Sequence, residues 1–242
     1  MENIIAIIGL GYVGLPLAVE FSKKYKTLAF DINSKRINDL KNNDDKTGEC
    51  SSNDLDKVGR ISFTSKLVDI QKANIFIIAV PTPIDQNNNP DLKILFKATK
   101  DVGSVLKKND IVIFESTVYP GCTEEECIPI LEKESGLKYN TEFYCGYSPE
   151  RINPGDKNRT LTKIIKITSG SNNVTAVKID KLYNSILDNG TFPVSSMKVA
   201  EAAKIIENCQ RDINIAFVNE LSILFNLFNV DTKEVLEAAG TK

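Results

Sequence analysis

Short apolar runs alternate along most of the chain with stretches whose apolar residues recur at the helical period. The runs at 4–8, 74–80 and 111–115 are almost continuous, as in strands that are buried on both faces of a parallel sheet. The pattern predicts strands at 4–8, 27–30, 61–64, 74–80, 111–115, 143–147, 164–168 and 192–194, and helices at 15–25, 34–42, 91–106, 124–134, 174–187, 197–228 and 232–239. Ser34 is the expected N-cap of its helix, and residues 43–54 are expected to form a loop. This alternation predicts an α/β fold with a doubly wound, mostly parallel sheet.

The character of the sequence changes at Met197. Residues 197–228 contain neither proline nor glycine, and their apolar positions follow the helical period. A helix of this length usually links domains or forms an interface, because a mean helix has only about 11–12 residues. We therefore expect a domain at 1–196 and the start of a helical dimerisation domain at 197–242, with a homodimer built across the long helix.

Composition narrows the possible classes of protein. The formal net charge is −2 with both signs interspersed, and the apolar runs are short. Neither a nucleic-acid partner nor a membrane anchor is expected. Five cysteines without metal-site spacing indicate reduced thiols in a cytoplasmic protein, with no metal site. Histidine is absent, so proton transfer would have to use Lys, Glu, Asp, Cys or water.

A glycine fingerprint, Gly9-Leu10-Gly11-Tyr12-Val13-Gly14, joins the first strand to the first helix. In such a turn the glycines allow a tight bend, close approach to a pyrophosphate and close packing of helix on strand. Asp31 ends the second strand, where an acid accepts hydrogen bonds from the adenosine ribose and favours NAD over NADP. The alternative is a set of structural glycines and a capping Asp. Arg36 could reach the phosphates, although its position alone fits a solvated helix residue.

Polar residues follow three of the predicted strands at the sheet edge where ligands bind in open α/β folds. Thr82 follows the strand at 74–80, Ser116-Thr117 follows 111–115, and Glu150-Arg151 follows 143–147. The hydroxyls could bind a cofactor or water, Glu150 could act as an acid or base, and Arg151 could bind substrate. Position alone fits loop capping equally well.

The long helix carries a second polar group. Lys204, Asn208 and Arg211 are spaced so that they share one helical face. A lysine there could stabilise a developing alkoxide. A solvated polar stripe has the same spacing and stays open.

Five segments together resemble the UDP-glucose/GDP-mannose dehydrogenase family. They are IIGLGYVGLPLA (7–18), AVPTP (79–83), ESTVYPG (115–121), YSPERINPGD (147–156) and AEAAKIIENCQRDINIAFVNE (200–220). Matches of this kind extend over nearly the whole chain. The segment SPERINPG looks like the branch that oxidises UDP-N-acetylhexosamines, since Pro154 stands where UDP-glucose enzymes usually carry a second Glu. UDP-GlcNAc, UDP-GalNAc and UDP-ManNAc are the expected substrates.

The resemblance implies a Rossmann-like domain and site residues at the matching positions. NAD would be held by Gly9, Gly11, Tyr12, Val13, Gly14, Asp31, Arg36, Thr82 and Thr117. Substrate would be held by Glu150, Arg151, Ile152, Lys204, Asn208 and Arg211, with Lys204, Asn208, Glu150 and Thr117 catalytic. The implied reaction is a two-step oxidation of a sugar C6 alcohol to the uronic acid, through a thioester on a cysteine.

One departure limits this expectation. The cysteine of the family lies in a Gly-rich GGHC-type segment beyond the long helix, and none of the five cysteines here has that context. Cys209 is expected to serve packing. We therefore expect an N-terminal portion that binds NAD without full turnover, or a non-catalytic dinucleotide-binding and dimerisation module. A 6-phosphogluconate or hydroxyacid dehydrogenase is a weaker alternative, which ESTVYPG and SPERINPG oppose.

Overall fold

The protein is described by a computed structural model that covers residues 3–56, 59–152 and 160–241. The chain forms two compact units, Met1–Ala202 and Ala203–Lys242. No helix of the covered residues is long and apolar enough to cross a lipid bilayer.

The first unit is built on an eight-stranded sheet whose spatial order is β3-β2-β1-β4-β5-β6-β7-β8. Its strands are β1 Ile4–Ile8, β2 Lys26–Phe30, β3 Ile61–Thr64, β4 Ile75–Ile78, β5 Ile111–Phe114, β6 Tyr144–Tyr147, β7 Lys166–Gly170 and β8 Thr191–Pro193. All neighbouring strands pair in parallel except β6 and β7. The chain runs outward from β1 in one direction and then crosses back to β4. This reversal opens a crevice beyond the carboxyl ends of β1 and β4.

Helices cover both faces of the sheet. They are α1 Gly14–Ser22, α2 Ser34–Lys41, α3 Ser52–Asp56, α4 Lys93–Gly103, α5 Ile128–Ser135, α6 Asn173–Asn184, α7 Met197–Leu227 and α8 Thr232–Ala239. Ile5 and Ile7 of β1 pack into one apolar cluster with α1 and α6, whereas Ala6 and Ile8 pack into the other with α4 and α5. Successive strand residues point to opposite faces, so both faces of β1 are buried. The predicted doubly wound α/β architecture is confirmed.

The ends of some helices and several short helical segments differ from those predicted by the pattern of apolar residues. Asn33, not Ser34, caps α2, because its side-chain oxygen accepts hydrogen bonds from the N–H groups of Lys35 and Arg36. Residues 52–56 form α3, which begins inside the loop predicted at 43–54, with Ser51 and Asp54 hydrogen-bonded to each other at its start. Leu67–Lys72 forms an unpredicted 3-10 helix, and Thr123–Cys127 forms a π-helical segment before α5.

The start of α7 is fastened to the first unit by a buried carboxylate. Glu201 is fully buried, and its two oxygens accept hydrogen bonds from the N–H groups of Gly121 (2.5 Å) and Thr123 (3.0 Å). These N–H groups lie at the beginning of the π-helical segment, where a helix lacks internal acceptors. A negative charge also complements the helix dipole there. Glu201 therefore fixes the loop that follows β5.

The second unit contains the rest of α7 and the short helix α8. Asp231 caps α8 by accepting a hydrogen bond from the N–H of Glu234. Many apolar side chains of α7 are exposed, among them Ile206, Ile213, Phe217 and Leu224. Cys209 is exposed as well, so the expected packing role of this cysteine is not observed.

Candidate functional site

The turn between β1 and α1 is shaped by backbone contacts that only glycine permits. Gly9 has a φ of +90°, which disfavours other residues. A Cβ on Gly14 would lie 1.8 Å from the carbonyl oxygen of Gly9, so a side chain cannot fit between strand and helix. A Cβ on Gly11, by contrast, would meet no atom within 4 Å. Gly14 therefore serves packing, and Gly11 leaves open space in front of the backbone.

Helix α1 begins beside this open space. Val13 is its N-cap and makes no side-chain capping bond. The N-terminal end of a helix presents N–H groups without internal partners and about half a positive charge. The turn is therefore suited to bind a phosphate group in front of Gly11.

Asp31 follows β2 and faces the glycine turn. Its carboxylate accepts hydrogen bonds from the N–H groups of Leu10 (2.9 Å) and Asn33 (2.8 Å). The side chain is partly exposed, and a carboxylate has lone pairs for further donors. The arrangement is one that can accept a ribose hydroxyl next to the turn.

Arg36 contacts the backbone of the same turn. It is not the solvated residue that its position alone suggested. Its side chain is only 11% exposed and forms an ion pair of 2.7 Å with Asp45. Its Nε donates to the carbonyl oxygen of Leu10 at 2.9 Å. Arg36 therefore acts on the turn through Leu10, and it does not line the cleft described below.

Asp45, which the sequence did not single out, organises the loop beneath Arg36. Its fully buried carboxylate accepts hydrogen bonds from the N–H groups of Thr47, Glu49 and Cys50. Burial by itself would raise the pKa of Asp45. The hydrogen bonds from Cys50 and Thr47 and the nearby Arg36 outweigh burial and lower that pKa.

A cleft of about 360 Å³ opens beyond the carboxyl ends of β1 and β4. It brings together predicted residues from four separate segments, namely Gly11, Tyr12, Val13, Thr82, Thr117 and Glu150. The Thr82 hydroxyl donates to the carbonyl oxygen of Thr117 (2.7 Å), and the Ser116 hydroxyl donates to that of Val80 (2.6 Å). These bonds tie the loops after β4 and β5 together at the mouth of the cleft.

Glu150 lines the same cleft as the glycine turn. It is 8% exposed, and the Ile152 N–H donates to its Oε1. Burial raises the pKa of the Tyr12 hydroxyl, and the charge of Glu150 raises that pKa further. Arg151 is half-buried, with its guanidinium 3.5 Å from the carbonyl oxygen of Ile165. Pro154 lies outside the described residues.

The other three predicted residues lie on α7 in the second unit. Arg211 contacts Asn208 Oδ1 at 3.2 Å and Glu207 Oε1 at 2.6 Å along the same helix. Lys204 lies one helical turn before Asn208, so the expected common face is present.

A buried ion pair beneath the cleft also escaped the sequence analysis. Glu115 lines the cleft, and its Oε2 lies 2.6 Å from the ammonium group of Lys166. The signal available in the sequence was an acid at the end of a buried apolar run. Nothing local to that run indicated a partner in β7.

The site fits a dinucleotide on three observations of the fold. The backbone in front of Gly11 is open, the start of α1 has no side-chain cap, and an acid stands at the end of the neighbouring strand. These features define the class of protein: a Rossmann-like α/β protein with a dinucleotide site at the switch point of its sheet.

Comparison with family models assigns the chain more closely. Residues 3–187 match the NAD binding domain of the UDP-glucose/GDP-mannose dehydrogenase family, and residues 198–242 match the central domain of that family. The chain belongs to the UDP-glucose/GDP-mannose dehydrogenase family. Its first unit is an NAD-binding domain, as the fingerprint and Asp31 predicted.

Individual relatives agree with this assignment. The chain is 57% identical over 238 residues to a UDP-N-acetyl-D-glucosamine 6-dehydrogenase from Pseudomonas aeruginosa, and 58% identical over 238 residues to one from Salmonella typhi. Each alignment covers 98% of this chain and 56% of the relative, so the chain spans little more than half their length. A solved UDP-D-ManNAc dehydrogenase from Pyrococcus horikoshii superposes with a TM-score of 0.89 at 33% identity, over 98% of this chain and 57% of that chain.

Two glycine substitutions are expected to separate packing from binding. Gly14→Ala places a methyl group against the Gly9 carbonyl and should destabilise the fold by several kcal/mol, since overpacking typically costs about 1–3 kcal/mol and backbone cannot move aside as a side chain can. Gly11→Ala should leave the melting temperature unchanged and weaken NAD binding about tenfold or more, because its methyl group enters the space for the phosphates. Thermal melts and calorimetric titration measure both. A Gly11→Ala protein that binds NAD as tightly as wild type would contradict this assignment.

Asp45→Asn is expected to show how strongly the loop supports the fold. The folded-state pKa of Asp45 lies below its unfolded-state value. Its contribution to stability is therefore complete above about pH 4 and is lost as the pH falls through the folded-state pKa. At neutral pH the substitution should lower the free energy of unfolding by about 1–3 kcal/mol.

Urea unfolding at several pH values measures this effect. The difference between wild type and Asp45→Asn should shrink in acid. Asp44→Asn, at a partly exposed neighbour in a surface ion pair with Lys46, is the control and should change stability by at most about 1 kcal/mol. A difference that stays constant into acid would show that the charge of Asp45 is not what stabilises the loop.

Proposed function

We propose that this chain is the NAD-binding, N-terminal part of a nucleotide-sugar 6-dehydrogenase, which oxidises the C6 alcohol of a UDP-N-acetylhexosamine to the uronic acid. Such a product would serve as a precursor of surface polysaccharide. The cleft that joins the glycine turn to Thr82, Thr117 and Glu150 carries the proposal. It places residues that suit a dinucleotide next to a buried carboxyl group that suits acid–base chemistry.

UDP-N-acetylglucosamine is the substrate we propose first. The sequence left three UDP-N-acetylhexosamines open. The relatives at 57% and 58% identity are both UDP-N-acetyl-D-glucosamine 6-dehydrogenases, whereas the UDP-D-ManNAc dehydrogenase of Pyrococcus horikoshii is 33% identical. The higher sequence identity to these two enzymes supports UDP-N-acetylglucosamine as the substrate.

The residues of the first unit have separate tasks in this proposal. NAD, when bound, supplies the acceptor for the hydride. Gly11, Tyr12 and Val13 hold its phosphates at the start of α1, and Asp31 accepts hydrogen bonds from its ribose. Thr82 and Thr117 shape the pocket near the reacting carbon. Glu150 orients water or moves a proton in the buried wall of the cleft.

The remaining roles come from the family resemblance. We propose that Arg151 and Ile152 contact substrate, and that Lys204, Asn208 and Arg211 bind it and stabilise charge that develops on oxygen. The described residues that line the cleft include no cysteine. We therefore propose that the 242-residue chain binds NAD and by itself turns over little substrate.

An activity screen tests this function. The gene product that includes this chain should reduce NAD with UDP-N-acetylglucosamine at the highest kcat/KM among UDP-sugars, and it should prefer NAD to NADP by about tenfold or more because the Asp31 carboxylate repels a 2′-phosphate. Absorbance of NADH follows the reaction.

Asp31→Ala is the matched variant and should reduce the preference for NAD while leaving the choice of sugar unchanged. A wild-type protein that binds NAD and oxidises no UDP-sugar would instead support a non-catalytic dinucleotide-binding module. Rapid NADH formation by the 242-residue chain alone would contradict the low turnover proposed for it.

We also propose that the protein is a cytoplasmic homodimer that assembles through α7. Exposed apolar residues recur along this helix with spacings of seven and four, which places them in one stripe; they are Ile206, Ile213, Phe217 and Leu224. At 100° per residue, Lys204, Asn208 and Arg211 lie on the opposite side of the helix. One face of α7 can therefore bind a second copy while the other remains available to substrate. Five free cysteines support a reducing compartment.

Sedimentation of matched variants tests the dimer. Phe217→Asp should convert the protein to a monomer, because it buries an unpaired charge in the apolar stripe. Asn219→Asp adds the same charge on the far side of α7 and should leave the dimer intact. Wild-type protein that sediments as a monomer at high concentration would contradict the proposal.

A further inference from the structure

A buried polar cluster lies directly under the cleft, and we name Glu115, Lys166 and Tyr183 the buried triad. The three side chains are at most 1% exposed. Glu115 accepts from Lys166 Nζ at 2.6 Å through one oxygen and from the Tyr183 hydroxyl at 2.5 Å through the other. The Lys166 ammonium also lies 5.2 Å from the centre of the Tyr183 ring. The carboxylate is thus held from two sides.

The triad gathers three elements that are distant in the sequence. Glu115 comes one residue after β5, Lys166 is the first residue of β7, and Tyr183 lies near the end of α6. β7 runs antiparallel to β6, so it begins near the edge where the parallel strands end. Lys166 is therefore placed beneath the loop that leaves β6 with Glu150.

Lys166 also reaches the backbone of that loop. Its Nζ donates to the carbonyl oxygen of Pro149 at 3.2 Å, and this peptide group leads directly to Glu150. Ser148, the preceding residue, donates through its hydroxyl to the carbonyl oxygen of Ile167 at 2.7 Å. The start of β7 thus holds two successive residues before Glu150.

Stability alone does not account for the ion pair. Burial raises the pKa of Glu115, the charge and hydrogen bond of Lys166 oppose that rise, and the net change is upward. Removing two charges from water costs more than packing apolar residues of similar size, so replacement of a buried ion pair is often neutral or stabilising. The geometry offers another reason for the pair, which is the bond from Lys166 to Pro149.

We propose that Lys166 is a positioning residue for Glu150, which holds the Pro149–Glu150 peptide against the cleft while Glu115 balances its charge. The consequence for catalysis rests on the proposed function. The consequence for the position of Glu150 does not, because it can be observed without substrate. Without the Lys166 donor, the carboxyl group of Glu150 loses its fixed direction into the cleft. A displacement of about 1 Å at a reacting group can lower a rate about a hundredfold.

A double variant separates positioning from stability. Lys166→Met alone leaves the Glu115 charge buried without its partner and is expected to unfold, since removing one member of a buried ion pair is strongly destabilising. The combination Glu115→Met with Lys166→Met removes both charges and should restore a melting temperature near that of wild type. The Pro149 carbonyl still has no Lys166 donor in this protein. A purely structural ion pair predicts full recovery, whereas a positioning residue does not.

Hydrogen exchange at the Ile152 amide is the direct readout, because this N–H donates to the Glu150 carboxyl group. In the NMR spectrum of the 242-residue chain, the double variant should exchange the Ile152 amide about tenfold faster or more than wild type, with core amides of β1 unchanged. Tyr183→Phe is the matched control. It removes the other hydrogen bond to Glu115, leaves the Pro149 contact in place and should keep Ile152 exchange within about threefold of wild type.

Activity of the gene product that includes this chain gives the second readout. The double variant should lower kcat about tenfold or more and change the KM for NAD by a smaller factor, since the glycine turn is untouched. Lys166→Arg keeps a charge and a donor and should retain most of the wild-type turnover. If the double variant with Glu115→Met and Lys166→Met does not fold, Lys166→Arg is the variant that tests whether Lys166 positions Glu150.

Wild-type Ile152 exchange in the double variant would overturn the proposal. The proposal would also be overturned if the Lys166→Arg protein folded and exchanged its Ile152 amide about tenfold faster or more than wild type, which is the acceleration expected of the double variant. Failure of the proposed function gives a different result. In that case no protein in the series, wild type included, oxidises a UDP-sugar, and the exchange data still report whether Lys166 fixes Glu150.

Discussion

The close approach of Gly14 to the carbonyl of Gly9 is the constraint on which the site depends. It lets the first turn of α1 pack against the short turn that follows β1, so the start of the helix lies at the crevice beyond the ends of β1 and β4. The peptide groups of Leu10 are then fixed from both sides. Asp31 accepts from its N–H, and Arg36 donates to its carbonyl oxygen. Two residues of opposite charge from the β2–α2 segment therefore hold the turn before any ligand arrives, which reduces the ordering cost of binding.

Most of the first unit could be predicted because its signals are local. Strands β1, β4 and β5 are apolar throughout and buried on both faces, so their runs stand out in the sequence. The glycine turn and Asp31 were recognisable for the same reason, since turn, helix start and strand end follow one another within a single βαβ unit. Two local features were predicted wrongly, namely the N-cap of α2 and the helix α3. Asn33 is a better cap than Ser34 in its extended conformation, and α3 is too short to produce a periodic pattern.

The contacts that support the site could not be read from the sequence, because they join residues that only the topology brings together. Glu115 and Lys166 are 51 positions apart, and their pairing requires the antiparallel turn from β6 to β7. The position of Arg36 alone fitted a solvated residue and the family resemblance implied a contact with NAD, whereas in the structure Arg36 pairs with Asp45, which lies in a loop whose sequence is merely polar. Glu201 reaches Gly121 across 80 positions. A composition or spacing rule contains no information on such pairs.

The ion pair between Glu115 and Lys166 also affects the balance of charge around the cleft. Glu115 and Glu150 both line this cleft, where the site must also accept the anionic phosphates of a dinucleotide. Two uncompensated carboxylates in a poorly hydrated wall would repel each other and the ligand, because the interaction of charges strengthens as the effective dielectric constant falls. Lys166 neutralises the deeper carboxylate from below without entering the cleft itself. Glu150 then remains on the wall of the cleft that it shares with the glycine turn, whose backbone dipoles favour negative charge. Acid–base chemistry and phosphate binding can therefore occupy neighbouring parts of one cleft because the second carboxylate has its counterion buried in the sheet.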